Sequence, residues 1–354
     1  MAIQKTLTTT PKPKPTDESK LGFGKIYSDH MFKWNYSEGT WHDPRIEPFG
    51  PMLVSPAMSV LHYGQEIFEG MKAYRRKDGG VNLFRPFNNF ERLNRSADRM
   101  CIPNFPVETA VEGIAELVKA DRDWVPSTKG ASLYLRPNII ATDEKLGVTT
   151  SQTYLFYIIG SPSGPYYANG LAPTSIYVED EYVRAVRGGT GAAKTAGNYA
   201  GSILAGEKAH KAGYDQVLWL DGVEMRYIEE VGSSNIFFMI DDVLVTPKLN
   251  GSILSGITRD STIQLAKDMG IKVEEKHILL EELIEAQETG RLQESFATGT
   301  AAVISPVGKL GYKDKEYLIN GGKMGEVASR MYDTLTGIQY GEIEDPHGWV
   351  YQVV

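Results

Sequence analysis

Two patterns of hydrophobic and polar positions divide the chain. In the first half, short segments alternate aromatic and polar residues between turn signals, which predicts β-strands. The run 153–160 (TYLFYIIG) is almost wholly apolar, so we expect a buried central strand there. The sequence Asp78-Gly79-Gly80 predicts a tight hairpin turn, with 81–86 (VNLFRP) as the return strand.

Two helical patterns bear on function. In 88–102 (NNFERLNRSADRMCI) apolar residues recur at helical spacing, with Asn88 or Asn89 as the expected N-cap. In 255–270 (SGITRDSTIQLAKDMG) the same spacing follows Ser255, which we expect to cap the helix. The N-terminus of a helix presents backbone N–H groups and the positive end of its dipole, so the second helix is a candidate phosphate site.

The arrangement of these patterns predicts two domains. The start of the chain is polar and rich in proline, with too few apolar residues to build a core. A stretch dense in glycine and proline (SPSGPYYANGLAP) separates the strand-rich half from a half in which strands, glycine-rich loops and helices follow one another. We predict a disordered tail at 1–19, a small N-terminal domain at 20–163, an interdomain linker at 164–174 and a large C-terminal domain with the candidate lysine at 175–354.

Composition restricts the class of protein further. The chain has 354 residues, of which 42% are hydrophobic and 23% charged, as in ordinary globular proteins. A net charge of −8 gives no general attraction to nucleic acid or to an anionic membrane. With a single cysteine we expect no disulfide framework and assign no metal site. No apolar run has transmembrane length and the start lacks the apolar segment of a secretory signal, so we expect a cytoplasmic protein.

Candidate chemistry is concentrated between residues 184 and 202 (RAVRGGTGAAKTAGNYAGS), where Lys194 lies among glycines and alanines. One interpretation is a nucleotide-binding loop, because 188–195 reads G-x-x-x-x-A-K-T. Ala193 replaces the required glycine, however, and the preceding run is charged where an apolar strand should be. The other interpretation makes Lys194 a Schiff-base lysine for pyridoxal phosphate (PLP), which requires a phosphate anchor, an acid for the pyridine nitrogen, a partner for the phenolate oxygen and a substrate-carboxylate site.

Residues suited to these parts occur elsewhere. Glu230 precedes the small residues VGSS, which would let the edge of a cofactor approach a carboxylate. The turn Thr300-Ala301 offers backbone N–H groups and a hydroxyl for a phosphate or carboxylate. Tyr134 and Arg136 are two apart in a predicted strand and so share a face.

Taken together, these segments resemble the branched-chain amino acid aminotransferases, PLP enzymes of fold type IV. The resemblance runs from Phe23 to the C-terminus. It rests on eight motifs in the family's order: FGKIYSDHM, LHYGQEIFEGMKAY, LFRPFNNFERLNRSA, LYLRPNI, AAKTAGNYA, EEVGSSNIFF, LSGITRDS and SFATGTAAVISPVG. It implies a two-domain α+β or α/β fold like that of D-amino acid aminotransferase, with a small α/β domain and a larger domain containing a mixed sheet or pseudo-barrel.

The resemblance also implies roles for individual residues. Lys194 would be the Schiff-base lysine and general base. The implied cofactor contacts are Arg92 with Ile257, Thr258 and Thr300 at the phosphate, Tyr199 at the phenolate oxygen, Glu230 at the pyridine nitrogen and Arg184 behind the loop. The implied substrate contacts are Tyr134, Arg136 and Thr300-Ala301 on the α-carboxylate side, with Phe23, Tyr63, Phe68 and Tyr166 around the branched side chain. A neighbouring subunit would supply part of the pocket, which implies a homodimer.

The implied reaction is the reversible, ping-pong transfer of the amino group of L-leucine, L-isoleucine or L-valine to 2-oxoglutarate, giving L-glutamate. Three alternatives stay open at this point. Another fold type IV enzyme, such as a D-amino acid aminotransferase or an aminodeoxychorismate lyase, would keep the lysine and the pyridine-nitrogen acid. A P-loop-like protein would bind nucleotide through Lys194, and a non-catalytic protein would bind PLP without transamination.

Overall fold

The computed structural model describes residues 2–164 and 171–354, and the chain forms two compact units. The first unit comprises Met1–Ala168, Ala193–Ala196 and Gly337–Val354, and the second comprises Asn169–Ala192 and Gly197–Thr336. The first unit is therefore discontinuous in sequence. The segment around Lys194 and the C-terminal residues belong to it, although the residues that precede them in the chain belong to the second unit. The domain boundaries expected from the sequence stay a prediction.

The strands of the described residues have short to medium lengths. The first are β1 (Gln4–Lys5), β2 (His30–Ser37), β3 (Thr40–Pro48), β4 (Glu66–Phe68), β5 (Met71–Arg75), β6 (Val81–Phe84), β7 (Ser132–Ala141), β8 (Tyr154–Ser163) and β9 (Thr174–Glu179). They are followed by β10 (Gln216–Leu220), β11 (Ile228–Val231), β12 (Asn235–Ile240), β13 (Val243–Pro247), β14 (Lys272–Lys276), β15 (Leu292–Gly299), β16 (Val303–Tyr312), β17 (Lys315–Leu318) and β18 (Val350–Gln352).

Helices are interspersed with these strands. The α-helices are α1 (Val60–Tyr63), α2 (Pro86–Met100), α3 (Val107–Ala120), α4 (Ala196–Ala200), α5 (Ile203–Lys211), α6 (Ile257–Asp268), α7 (Leu280–Glu288) and α8 (Glu326–Tyr340). Short 3₁₀ helices occur at Glu18–Lys20, Arg122–Trp124 and Asn320–Gly322. Within the described ranges, no helix combines the length and the apolar character that crossing a membrane requires.

The first unit is built on a nine-stranded sheet in the order β1-β3-β2-β8-β7-β5-β6-β18, with β4 paired to β7. Only β1 and β3 pair in parallel among these strands. The predicted central strand is confirmed, since β8 lies between β2 and β7. The predicted hairpin is confirmed as the β5–β6 pair, whose turn places Gly79 at φ 85°, a conformation that favours glycine.

The apolar core of the first unit lies between helices α2 and α3 and one face of the sheet. Phe90 and Leu93 of α2, Ile114 of α3 and Phe32 of β2 are all fully buried in one cluster. Gly113 permits this packing, because a Cβ there would lie 2.7 Å from the ring of Phe32. The conformational cost of a mid-helix glycine, about 1 kcal/mol relative to alanine, is offset by the buried ring.

The start of α2 differs from the sequence-based prediction. The helix begins at Pro86, so neither Asn88 nor Asn89 is its N-cap, and that prediction is wrong. Arg85 takes the cap position in a left-handed conformation without a side-chain cap hydrogen bond. Proline suits the first helical position because its φ is already near the helical value and its missing N–H would have no helical partner.

The N-terminal residues, for which the sequence predicts disorder, make defined contacts in the first unit. Strand β1 extends the sheet by pairing with β3, and the backbone N–H of Lys12 donates to Asp29 Oδ1 at 2.9 Å. The ammonium of Lys14 lies 5.5 Å from the centre of the Trp124 ring. An open sheet edge and an aromatic face supply the partners in these contacts, and the disorder expected for residues 1–19 stays a prediction.

The second unit contains a nine-stranded mixed sheet in the order β11-β10-β9-β16-β15-β12-β13-β14, with β17 on β16. Strands β9 and β10, β9 and β16, and β13 and β14 pair in parallel, and the other pairs are antiparallel. The apolar side chains of Ile176, Leu218, Phe238 and Leu310 meet in the main core cluster of this unit. The sheet therefore provides a rigid support for the loops at its strand ends.

Candidate active site

Hydrogen bonds within the first unit hold the backbone of Lys194. Its N–H donates to Ser96 Oγ at 3.0 Å, and its carbonyl oxygen accepts from the N–H of Phe68 at 2.9 Å. The neighbouring Thr195 hydroxyl donates to the carbonyl oxygen of Glu66 at 2.7 Å. The lysine is thus attached to α2 and β4 through its main chain, and this attachment does not use its amine.

Lys194 is half-buried, and its amine lies near an aromatic ring and two guanidinium groups. Its Nζ is 4.6 Å from the centre of the Phe68 ring. Burial is the largest cause that lowers the pKa of Lys194, from 10.5 to about 8, with Arg92 and Arg136 adding to the decrease and Glu69 opposing it. A lysine with this pKa has an appreciable neutral fraction near neutral pH, as a nucleophile or general base requires.

This lowered pKa predicts the pH dependence of the amine's reactivity. Only the neutral amine attacks an aldehyde, so the rate at which cofactor-free protein reacts with PLP should rise through a pH of about 8 and then level off. An ordinary exposed lysine would keep gaining reactivity up to a pH of about 10.4. Borohydride trapping followed by peptide mass mapping measures the rate at Lys194 itself. Mapping is necessary because burial also lowers the pKa of Lys72 to about 8, and label on Lys72 alone would contradict the prediction.

Arg92 lies in α2 and forms a buried ion pair with Glu69. Its Nε donates to Glu69 Oε1 at 2.7 Å and its Nη2 to Oε2 at 2.8 Å. Glu69 is fully buried and Arg92 is 4% exposed. Such a bidentate pair holds a guanidinium in one plane, which suits recognition of a phosphate. The sequence analysis missed Glu69, and its position between Phe68 and a glycine in the FEG motif was the available signal.

The predicted substrate residues of β7 share one face of the sheet. Tyr134 and Arg136 are half-buried, whereas the alternate residues Leu133 and Leu135 are fully buried in the core. The Nη2 of Arg136 donates to the Tyr134 hydroxyl at 2.9 Å, and its guanidinium lies 4.7 Å from the ring centre of Phe68. Strand alternation therefore places Tyr134 and Arg136 on one face, as predicted from residue spacing, and Phe68 of β4 lies against the guanidinium there.

Phe23 adds a further ring to this group. Its centre is 4.8 Å from that of Tyr134, with the ring planes at 66°. The Nε of Arg136 is buried without a hydrogen-bond partner among the residues that the structure describes. A guanidinium with a donor to spare beside aromatic rings can bind a carboxylate oxygen and an apolar group together.

Gly70 is required for the position of Tyr134. A Cβ at residue 70 would overlap the Tyr134 hydroxyl, which accepts the hydrogen bond from Arg136. We expect Gly70→Ala to displace Tyr134 from Arg136 and to raise KM for the amino acid, with a stability loss of about 1–3 kcal/mol from overpacking. Gly147→Ala is the matched control, because nothing lies within 4 Å of its Cβ position. Steady-state kinetics of both variants measure the effect, and equal KM values would contradict this role for Gly70.

Two other predicted pocket residues are not joined to this group by a described contact. Tyr63 ends α1, is 44% exposed and lies beside His62, with 6.1 Å between ring centres. Tyr166 lies outside the described residues. Their proposed contact with substrate stays a prediction.

Glu230 is a buried carboxylate of the second unit. It lies in β11 and forms an ion pair with Arg184, and its Oε1 accepts from Asn235 Nδ2 at 3.1 Å. Strand β11 carries an irregularity here, because Trp219 pairs with Glu230 while Leu220 pairs with Ile228, which leaves Glu229 as the extra residue. Bulges redirect side chains and are frequent beside active sites.

The N-terminus of α6 is formed by Gly256 and Ile257, so the prediction that Ser255 is the N-cap is wrong. Gly256 takes the cap position without a side-chain cap hydrogen bond, and a Cβ there would overlap Asn235 Oδ1. The first-turn residues Ile257 and Thr258 are buried. A helix start without a capping side chain is suited to an anion.

The remaining predicted residues of the second unit lie in a turn and a short helix. Thr300 and Ala301 are half-buried between β15 and β16, where Val303 has a φ of 63°. Tyr199 is half-buried in α4, and its carbonyl oxygen accepts from the Ser202 hydroxyl at 2.8 Å. Among the described residues there is no group of three or more His, Cys, Asp or Glu side chains that could hold a metal ion.

The chemistry of these donors fits pyridoxal phosphate. The first unit supplies an amine whose pKa is lowered and the buried, oriented guanidinium of Arg92. The second unit supplies the buried carboxylate of Glu230 and a helix start without a capping side chain. A PLP enzyme requires each of these types of group.

A lysine with a lowered pKa, a buried guanidinium and a buried carboxylate are the types of group that a PLP-dependent aminotransferase uses. The chain belongs to the class IV aminotransferases, since the family profile "Amino-transferase class IV" matches residues 66–310. It is 54% identical to branched-chain-amino-acid aminotransferase 2 of Bacillus subtilis over 99% of this chain and 97% of that protein. It is 55% identical to a probable branched-chain-amino-acid aminotransferase of Staphylococcus aureus strain MRSA252, over 98% of this chain and 97% of that protein.

Solved structures show the same similarity. The Escherichia coli branched-chain amino acid aminotransferase matches with a TM-score of 0.75 and 30% identity, over 91% of this chain and 99% of that one. The T.th. branched-chain amino acid aminotransferase, complexed with N-(5'-phosphopyridoxyl)-L-glutamate, matches with a TM-score of 0.74 and 28% identity, over 91% and 98%.

These findings confirm the predicted resemblance, the fold type IV architecture, the aminotransferase activity and the PLP cofactor. The substrates are small molecules, amino acids and 2-oxo acids. The roles of individual residues stay predictions.

Proposed function

We propose that this protein is a branched-chain amino acid transaminase, which transfers the amino group of L-leucine, L-isoleucine or L-valine to 2-oxoglutarate. The observation that carries the proposal is Lys194, whose amine lies 4.6 Å from the centre of the Phe68 ring and whose pKa is lowered to about 8. The identity of 51–54% to two B. subtilis branched-chain enzymes over nearly the whole chain supports the substrate class.

Residues of the first unit would bind and deprotonate the amino acid. When bound, PLP supplies an electron sink that stabilises negative charge at the substrate's α-carbon. Lys194 Nζ would take the α-proton of the amino acid. It would later donate a proton to the cofactor carbon that carries the transferred nitrogen. Arg92 would hold the phosphate in the orientation that Glu69 imposes. Arg136 and Tyr134 would bind a carboxylate, and the Phe68 ring beside the amine would limit its contact with water.

Residues of the second unit would control the cofactor's electronic state and position. The carboxylate of Glu230 would accept a hydrogen bond from the pyridine nitrogen and so keep that nitrogen protonated, and Arg184 favours the charged form of the carboxylate. Backbone N–H groups of Ile257 and Thr258, with the Thr300 hydroxyl, would bind the phosphate. Tyr199 would donate to the phenolate oxygen.

We further propose that the protein is a cytoplasmic homodimer. Tyr63 and Leu61 in α1 are 44% and 59% exposed, and Leu53 in the preceding loop is wholly exposed. An apolar surface beside residues assigned to substrate is typical of a pocket that a second subunit completes. Light scattering of the purified protein tests this assembly.

The visible absorbance spectrum of purified protein tests the function. We expect a yellow band that disappears when L-leucine is added and returns with 2-oxoglutarate. D-alanine should leave the band unchanged, whereas a D-amino acid aminotransferase would respond to it. A protein that stays colourless after incubation with PLP would contradict the proposal, and ATP binding would then favour the nucleotide-binding alternative. The structure offers little support for that alternative, because residues 180–187 separate β9 from the loop that should follow a P-loop strand directly.

A further inference from the structure

Glu229 is a second buried acid beside Glu230, and the proposed chemistry gives it no role. It is 3% exposed and is the extra residue of the bulge in β11. Burial of a carboxylate is costly unless its oxygens receive hydrogen bonds. Its Oε1 accepts from Asn250 Nδ2 at 2.8 Å and from the Ser252 hydroxyl. Its Oε2 is buried without a hydrogen-bond partner among the described residues.

The two donors to Glu229 belong to one loop between β13 and α6. The Ser252 N–H donates to Asn250 Oδ1 at 3.0 Å, so the two residues also hold each other. Both are tied to the strand that carries Glu230 by their bonds to Glu229. The carboxylate therefore fixes the position of the Ser252 backbone.

The Ser252 carbonyl oxygen in turn positions Arg184. The Nη2 of Arg184 donates to Ser252 O at 2.6 Å and to Gly191 O at 3.2 Å, and the same nitrogen forms the ion pair with Glu230. Gly191 allows this convergence, because a Cβ at residue 191 would overlap Ser252 O. Two carbonyl oxygens therefore fix the position of Arg184 Nη2, the nitrogen that pairs with the Glu230 carboxylate.

We propose that Glu229 is a positioning residue, which acts through Ser252 and Arg184 to hold Glu230 against the pyridine nitrogen. The inference rests on the proposed function, because it assigns a partner of the cofactor to Glu230. A guanidinium that moves freely would vary both the direction and the proton affinity of that carboxylate. Fixing the Ser252 carbonyl removes this freedom without adding a charged group to the cofactor's surroundings.

Three single variants, a double-variant cycle with Arg184→Lys and one control test the proposal in the PLP-loaded full chain. Glu229→Ala removes both acceptor bonds, whereas Glu229→Gln keeps an oxygen in the place of Oε1 and loses no described bond at Oε2. Ser252→Ala removes only the hydroxyl that donates to Glu229. It tests the same contact if Glu229→Ala fails to fold. Glu224→Ala is the control, because Glu224 is an exposed acid a few residues away. The readouts are the PLP dissociation constant, the pH midpoint of the visible band and the rate of half-transamination with L-leucine.

We expect Glu229→Ala to lower the half-transamination rate and PLP affinity by about tenfold and to move the pH midpoint by about half a unit or more. Glu229→Gln should stay within about twofold of the parent protein. Ser252→Ala should lie between the parent and Glu229→Ala, and Glu224→Ala should change nothing. Combining Glu229→Ala with Arg184→Lys should cost little more than Arg184→Lys alone, because the first change acts through the second residue.

The outcomes separate this inference from the proposed function. Additive effects in the double variant, an unchanged pH midpoint in Glu229→Ala, or a Gln variant as impaired as the Ala variant would each overturn the positioning role. A parent protein without a visible band that responds to L-leucine would overturn the proposed function instead. A normal parent spectrum with an unaffected Glu229→Ala variant overturns only the role of Glu229.

Discussion

Replacing Lys194 by alanine should abolish transamination, with a fall of at least about 10³-fold in the rate of half-transamination. The variant loses an amine that combines a lowered pKa with contact to the Phe68 ring. It can still hold PLP through Arg92 and the other phosphate contacts, so the expected result is a bound cofactor that no longer responds to L-leucine. Stopped-flow absorbance with a single turnover measures the rate.

Lys211→Ala is the matched control for this prediction, since Lys211 is an exposed lysine at the end of α5. It should transaminate at the parent rate. Because burial depresses the pKa of Lys194, the folded state binds this proton more weakly than the unfolded chain does, so removal of the amine should not destabilise the protein below a pH of about 8. A Lys194→Ala variant that kept transamination would show that another amine acts as the base.

Replacing Glu69 by glutamine should destabilise the protein by about 3 kcal/mol and weaken PLP binding. The change leaves the Arg92 guanidinium buried without its charged partner, and the cost of an unpaired buried charge exceeds that of a broken surface pair. The orientation of the guanidinium toward a phosphate is lost as well. Urea unfolding measures the first effect, and fluorescence titration with PLP measures the second.

Glu91→Gln controls for the loss of a carboxylate near the same helix, because Glu91 is exposed on α2. We expect it to change the free energy of unfolding by no more than about 0.5 kcal/mol and to leave PLP affinity unchanged. If Glu69→Gln matched Glu91→Gln in both measurements, Arg92 would not depend on Glu69 for its orientation.

Some features of the site follow from local sequence. The spacing of Tyr134 and Arg136 places them on one face of a strand, because side chains alternate along any strand. The small residues around Lys194 identify a lysine that a flat ligand could approach. The start of α6 is predictable to within two residues, although its N-cap is Gly256 and not Ser255. Caps depend on side-chain contacts such as that of Asn235, which spacing does not reveal.

Other features depend on residues that are distant in sequence. Glu69 pairs with Arg92 only because the segment after β4 lies beside α2, and its place before a glycine in the FEG motif does not reveal that partner. Glu229 looks like a solvated turn residue from its neighbours, yet the bulge in β11 buries it against Ser252. The pairing of Gln4–Lys5 depends likewise on the open edge of β3.

The sequence by itself determined the family and the class of cofactor and predicted Lys194 as the Schiff-base lysine, because these depend on residue types in a fixed order that a single chain displays. The tertiary structure alone decided the pKa of Lys194 and the partners of the charged residues Arg92 and Arg184. Burial, which lowers the pKa of Lys194, and the buried ion pairs of Arg92 and Arg184 arise from contacts across many residues. Dielectric environment and hydrogen-bond geometry are properties of the folded arrangement, so no local pattern could express them.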